Sequence, residues 1–303
     1  MSYKQSLFML HLIILIWGFT GILGKVLTDT MSPEVLVWFR MAIGSLSIFL
    51  YIILSKPSPW PSGKQVLSLF GIGLIIAIHW LTFFGSIQAS NVSIALACLA
   101  SGSLFTALLE PLFFRKAIAW YELALGLAVL GALLFIFKFE TNYQKGILLS
   151  VLSAFMASLF TVLNAKQVKK VDAIKVSAFE ISSGFIWVTL YLAIGGQLAL
   201  DLFDMNATEW ASLTALGTIC TGFAFVMGVV VMKKLSPFTV TLSINLEPIY
   251  SIVLAFVFFN EHKYLTPAFF IGALVILATV IINAWVKYRV RAKEDLQPNS
   301  ATS

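Results

Sequence analysis

The sequence predicts an all-α polytopic membrane protein: ten transmembrane helices built as two inverted five-helix repeats. Three observations carry that expectation. Of 303 residues, 59% are hydrophobic and 11% charged, with a mean hydropathy of +0.94. A soluble domain carries about 25% charged residues, so lipid is the main solvent of this chain. Ten stretches each supply the roughly 20 apolar residues that a bilayer crossing needs. The second half also repeats the first at a fixed offset. The composition excludes a disordered or disulfide-rich secreted protein and argues against a soluble two-domain enzyme. Cys98 and Cys220 lie inside apolar runs, as small core hydrophobes rather than a redox pair.

The spans fall in order at Leu7–Leu27, Glu34–Leu54, Val66–Gln88, Val92–Phe114 and Trp120–Phe137 in the first half. The second half holds Gly146–Lys166, Ile174–Ile194, Trp210–Met232, Pro237–Phe259 and Leu265–Val286. Lys4 before the first apolar run invites a signal-peptide reading. With no clean small-residue cleavage site and nine spans to follow, a retained helix is the expectation. Ser32-Pro33, Ser236-Pro237 and Thr266-Pro267 each place an N-cap residue before a proline suited to the first helical position. Lys56 to Lys64 reads as a stiff proline-rich loop. The domains expected are a first repeat over 7–137, a second over 146–286, and a basic-to-polar tail over 287–303 that frays.

Basic residues give the orientation. With the N-terminus inside, 15 of the 20 Lys and Arg fall on the inner side, four on the outer, and Arg40 within a span. The positive-inside rule then puts both termini in the cytoplasm, in a plasma (inner) membrane. No gap between spans has room for a catalytic domain.

At an offset of 146, Gly71 meets Gly217, Ser90 meets Ser236, Phe113 meets Phe259 and Gly126 meets Gly272. That one offset superposes spans three to five on eight to ten, while the first two spans match six and seven loosely at about 140. Five spans per half is odd, so the second half enters from the opposite side. This inverted architecture is common in secondary transporters, with the site near midplane between the halves.

Trp17-Gly18, Lys25, Ser32-Pro33 and Arg40 resemble the opening of an EamA-type domain. Leu246-Glu247-Pro248, Glu261 and Gly272 resemble the close of a second copy. The chain thus resembles ten-helix members of the EamA family in the drug/metabolite transporter superfamily, over nearly its whole length. The resemblance implies export or exchange of small metabolites, often amino acids, through a cavity between the halves. The first copy departs from the pattern: it has Gly102 and Arg115 where the second has Pro248 and Glu261, and its nearest acid is Glu110.

Ionisable residues inside spans are costly and mark sites or partners. Glu247 lies about 15 Å into its span on a 1.5 Å rise. Pro248 breaks the helical ladder beside it. Together they form a polar site for a substrate amine or a proton, a structural acid bonded to a neighbouring helix, or an exposed acid in a wide water-filled vestibule. Ser101-Gly102-Ser103 is the repeat equivalent, a second weak point or simple small-residue packing. Trp17, His79, Trp80, Asn245 and Tyr250 complete the expected substrate site, with Phe83, Phe84, Phe223 and Phe225 as further lining. His79 shares the proton-coupling expectation with Glu247, against the plainer reading of a satisfied core histidine. Arg40 and Glu180, at equivalent levels, are candidates for an ion pair. Gly18, Gly21 and Gly24 form a helix contact face, and Glu110 reaches water near the inner end of its span.

There is no phosphate-binding G-x-x-x-x-G-K-[ST] loop, no histidine spacing for a metal, and no basic-aromatic stripe for nucleic acid. The expectation is therefore a cofactor-free secondary transporter with a small-molecule substrate and the lipid bilayer as its partners. The alternatives from other classes are an intramembrane lipid-modifying enzyme and a channel or scaffold.

Overall fold

A computed structural model of the chain describes residues 1–54, 59–139, 141–244, 246–260, 263 and 265–295. The first half holds α1 (Tyr3–Thr28), α2 (Pro33–Leu54), α3 (Gly63–Ala89), α4 (Val92–Leu99), α5 (Gly102–Phe114) and α6 (Trp120–Phe139). The second holds α7 (Gln144–Gln167), α8 (Ala173–Ile194) and α9 (Ala207–Gly217). A π-helical turn (Thr218–Phe223) then leads to α10 (Ala224–Val231), α11 (Pro237–Ile244), α12 (Glu247–Phe259) and α13 (Pro267–Asp295).

Seven stretches among the described residues have the length and hydropathy of membrane spans: α1, α2, α3, α4 with α5, α7, α8, and α9 with α10. The apolar parts of α6 and α13, Trp120–Ile136 and Pro267–Thr279, are shorter. The expected ninth span is divided at residue 245, which lies outside the described residues. The protein is an integral, multi-pass membrane protein.

Helix starts follow the local chemistry. Pro33, Pro237 and Pro267 each open a helix, where a missing N–H costs no ladder bond. The backbone N–H groups of Val35 and Thr239 donate to the hydroxyls of Ser32 and Ser236, at 3.4 and 3.2 Å. Three helices begin earlier than their apolar runs because polar residues cap them reciprocally: Ser2 with Gln5, Ser62 with Gln65, and Asn206 with Glu209. The expected loop therefore ends at Ser62, with 59–62 non-helical and 55–58 outside the described residues. The helix α13 continues past Val286 to Asp295, since Lys, Arg, Ala and Glu are good helix formers.

Packing between the halves comes in exchanged pairs. α1 packs on α12 and α7 on α5; α2 packs on α9 and α8 on α3; α4 packs on α12 and α11 on α5. The pairs α2 with α8 and α6 with α13 are their own counterparts. In lipid these contacts depend on close approach and interhelical hydrogen bonds of about 0.6 kcal/mol each. The tightest crossing joins α3 to α8. A Cβ on Gly73 would run into the Ser183 hydroxyl and the Glu180 carbonyl, and one on Gly184 would sit 3.1 Å from the Gly73 carbonyl. Trp187 adds an indole bond to the Phe70 carbonyl at 3.2 Å. Between α2 and α8, Trp38 donates to Thr189 at 2.8 Å. The small face of α1 does make helix contacts, against α12, α4 and α3 at Gly18, Gly21 and Gly24.

Candidate functional site

The two broken spans set the centre of the molecule. Between α4 and α5 the ladder tightens at Ala100–Ser101, where Ser101 N–H reaches the Cys98 carbonyl at 3.1 Å. Between α11 and α12 the same tightening brings Leu246 N–H to the Ser243 carbonyl at 3.0 Å. Pro248 sits in the first turn of α12, so the proline interrupts the span by starting a new helix. Both breaks fall where the sequence placed paired weak points.

Around them lies a cavity of about 100 Å³, counted over the centres of water-sized spheres. One water needs about 10–15 Å³ on that measure, so the space suits several waters or one small solute. Both halves line it. Trp17, Arg40, His79, Trp80, Phe83 and Gly102 come from the first; Phe160, Phe225, Gly228, Thr241 and Glu247 are among those from the second.

Several polar wall residues are held by specific partners. Trp17 donates its indole N–H to the Cys220 carbonyl at 3.1 Å. Its ring lies across Gly228, where a Cβ would come within 3.2 Å of it. Arg40 is buried and donates Nε–H to the Thr221 hydroxyl at 2.9 Å. Its guanidinium carbon sits 3.9 Å from the centre of the Trp80 ring, a cation–π contact strengthened by desolvation. Both acceptors, Cys220 and Thr221, belong to the π-helical turn. The altered pitch of such a turn re-aims backbone and side chains and recurs at functional sites. His79 Nδ1 lies 2.9 Å from the Ser153 carbonyl and 2.8 Å from its hydroxyl. Thr20, also on the wall, is buried with no hydrogen-bond partner for its hydroxyl among the described residues.

Glu247 opens α12 on the same wall, 5% exposed. It interacts electrostatically with Arg40 without forming an ion pair among the described residues. The cavity thus offers a guanidinium and a carboxylate between aromatic faces, with room for a ligand.

The expected Arg40–Glu180 pair is not formed. Arg40 turns to Thr221 and Trp80, whereas Glu180 accepts from Asn164 of α7 at 3.0 Å. Their shared level along adjacent helices does not fix rotation about the helix axes. The hydroxyls of Ser101 and Ser103 are absent from the wall because they bond the Cys98 and Ala100 carbonyls that the break loosens. Gly102 does line the cavity, and its carbonyl accepts from Ser158 at 2.7 Å. Tyr250 is 39% exposed and stands off the wall, since α12 turns Ser251 toward α1, where it bonds the Gly18 carbonyl at 2.8 Å. Phe84 packs against Gly24, and Phe223 is exposed. Asn245 and Glu261 lie outside the described residues. Glu110 is mostly buried: it accepts the Phe238 N–H at 2.9 Å, capping α11 from α5, and its other oxygen faces the exposed Lys116 at 3.5 Å.

Several wall residues escaped the sequence reading: Thr20, Ala157, Phe160, Thr161, Val229 and Thr241. The repeat itself carried a signal for some. Ala157 and Phe160 stand 140 residues after Trp17 and Thr20, and Phe225 and Val229 stand 146 after His79 and Phe83.

Comparison with known proteins agrees with this architecture. The model of the EamA-like transporter family matches residues 4–138 and again 144–285. An uncharacterized transporter of Archaeoglobus fulgidus is 25% identical over 294 residues, covering 93% of this chain and 98% of that protein. The uncharacterized transporter YdfC of Bacillus subtilis is 25% identical over 235 residues, 76% of this chain and 75% of its own. A protein crystal structure superposes with a TM-score of 0.69 at 17% identity, over 95% of this chain and 99% of that one; this likeness speaks to the fold alone. With a family model spanning both halves, the chain belongs to the EamA-like transporter family.

Proposed function

We propose that the protein is a secondary transporter that exports or exchanges small metabolites, amino acids foremost, by alternating access around the central cavity. Ten spans in two inverted five-helix repeats would rock about the breaks at Gly102 and Glu247-Pro248. Both termini would lie in the cytoplasm and the protein in the plasma membrane, as the basic residues of the inner loops suggest.

The observation that carries this reading is the cavity's pairing of Arg40 with Glu247 across aromatic walls. Guanidinium recognises carboxylate with a planar fork, and Glu247 complements an ammonium. A zwitterion supplies both charges at once. Aromatic faces accommodate an apolar side chain. His79 and Glu247 are the titratable cavity groups through which protons would be coupled.

The test is uptake of labelled amino acids into proteoliposomes, with and without a pH gradient. Saturable uptake, competed by other zwitterions and weak for amines or acids alone, is the expected result. Equal uptake of all three classes would count against the charge pair as the recognition element.

A further inference from the structure

Glu180 lies away from the central cavity, in α8 where it crosses α3 at Gly73. Both Glu180 and its partner Asn164 of α7 are 0% exposed. Asn164 Nδ2 donates to Glu180 Oε2 at 3.0 Å. The other two oxygens of the pair, Glu180 Oε1 and Asn164 Oδ1, have no hydrogen-bond partner among the described residues. Two orphaned acceptors on directly bonded side chains, both sealed from water, call for a missing donor.

The neighbourhood supplies none. The elements packed on α8 carry Glu34, Arg40 and Tyr51 on α2, Lys64 and His79 on α3, and Lys145 and Lys166 on α7; α10 carries no titratable group. On α8 itself stand Lys175 and Tyr191. Arg40 is engaged by Thr221 and Trp80, and His79 by Ser153. Lys166 donates to the Phe113 carbonyl and Lys175 to the Pro59 carbonyl. Among the described residues none of these groups forms an ion pair with Glu180.

One proton resolves both orphans. A neutral carboxylic acid has a single O–H donor. Placed on Oε1, it donates to Asn164 Oδ1 while the amide N–H donates to Oε2, closing the two-bond ring of an acid–amide pair. We propose that Glu180 and Asn164 form a proton-binding site, distinct from the central cavity, that holds one proton between Glu180 Oε1 and Asn164 Oδ1. Because α3, α7 and α8 close over the pair, this proton exchanges with water only when that contact opens. Its occupancy is thereby tied to the conformation of the crossing between the two halves. The inference does not depend on what the cavity carries.

Infrared difference spectroscopy of the reconstituted protein at pH 7.5 tests it. The wild type minus Glu180→Gln difference should contain a protonated-carboxyl C=O band that shifts with ¹³C-glutamate labelling and in D₂O. Asn164→Ala should move that band toward a free acid without removing it. Glutamine carries an N–H where the acid carries its O–H, so Glu180→Gln should melt with the wild type, and Glu180→Ala well below it. Absence of the band, a Glu180→Gln protein that melts like Glu180→Ala or fails to fold, or a sodium-dependent stabilisation lost in Glu180→Gln would each overturn the proposal. The last result would identify a sodium ion as the missing partner.

Discussion

Arg40 and Glu247 are the two charged residues among the described cavity lining, and the loss of either has predictable consequences. Arg40 is fixed by Thr221 and the Trp80 ring, so Arg40→Ala removes the only guanidinium among the described residues of the cavity wall and leaves the aromatic faces in place. Its half-saturating substrate concentration should rise at least about tenfold, equivalent to about 1.4 kcal/mol, as measured by initial uptake rates. Glu247→Gln keeps the shape of the wall and loses the charge. It should abolish transport at unchanged membrane abundance, checked by quantitative blotting beside uptake; normal transport by this variant would remove Glu247 from the mechanism. At this scale the sequence was informative for some polar residues set deep in spans: Glu247, His79 and Trp17, expected at the site, line the cavity, whereas Arg40 lines it in place of its expected pairing with Glu180, which does not. It was uninformative about rotation. In lipid the outer face of a helix is as apolar as the inner one, so no amphipathic stripe tells Phe83 from Phe84 or turns Arg40 toward Thr221 rather than Glu180.

At the scale of the helices, the chain uses small residues where helices cross and broken ladders where the cavity lies. The α3–α8 crossing makes the point testable, because Gly71 and Gly73 stand on one helix in different settings. A Cβ at Gly71 meets nothing within 4 Å, whereas one at Gly73 meets Ser183 and the α8 backbone. Gly73→Ala should therefore destabilise by about 1–3 kcal/mol through overpacking, and Gly71→Ala by far less. Thermal denaturation in one detergent would compare them; equal melting temperatures would contradict the crossing. The helix starts at Pro33, Pro237 and Pro267 and the breaks near Gly102 and Pro248 were legible because prolines and small residues are local chemistry, while the three starts set by capping boxes were placed too late. The π-helical turn was not, since nothing in Thr218–Phe223 differs in kind from ordinary apolar helix. Its presence shows only through the groups it receives, Trp17 and Arg40.

For the whole molecule, the exchanged pairing of helices across the halves is the arrangement on which the proposed rocking rests. The offset of 146 showed the repeat in the sequence, with the first two spans matching only loosely at about 140, but not which helices meet; that pairing is read from the packing. The α5–α11 contact ties one half to the other beside the cavity, with the Thr106 and Thr241 hydroxyls 3.1 Å apart. Cysteines at both positions should cross-link under oxidation and stop transport, and a reductant should restore it; full activity of the cross-linked protein would exclude movement at that contact. The central claim is that the cavity is served alternately from the two sides of the membrane, and counterflow in proteoliposomes measures it most directly. Preloading vesicles with an unlabelled zwitterionic amino acid should accelerate uptake of the labelled one above the rate in empty vesicles. An uptake rate that preloading leaves unchanged would contradict alternating access and return the protein to a channel or a scaffold.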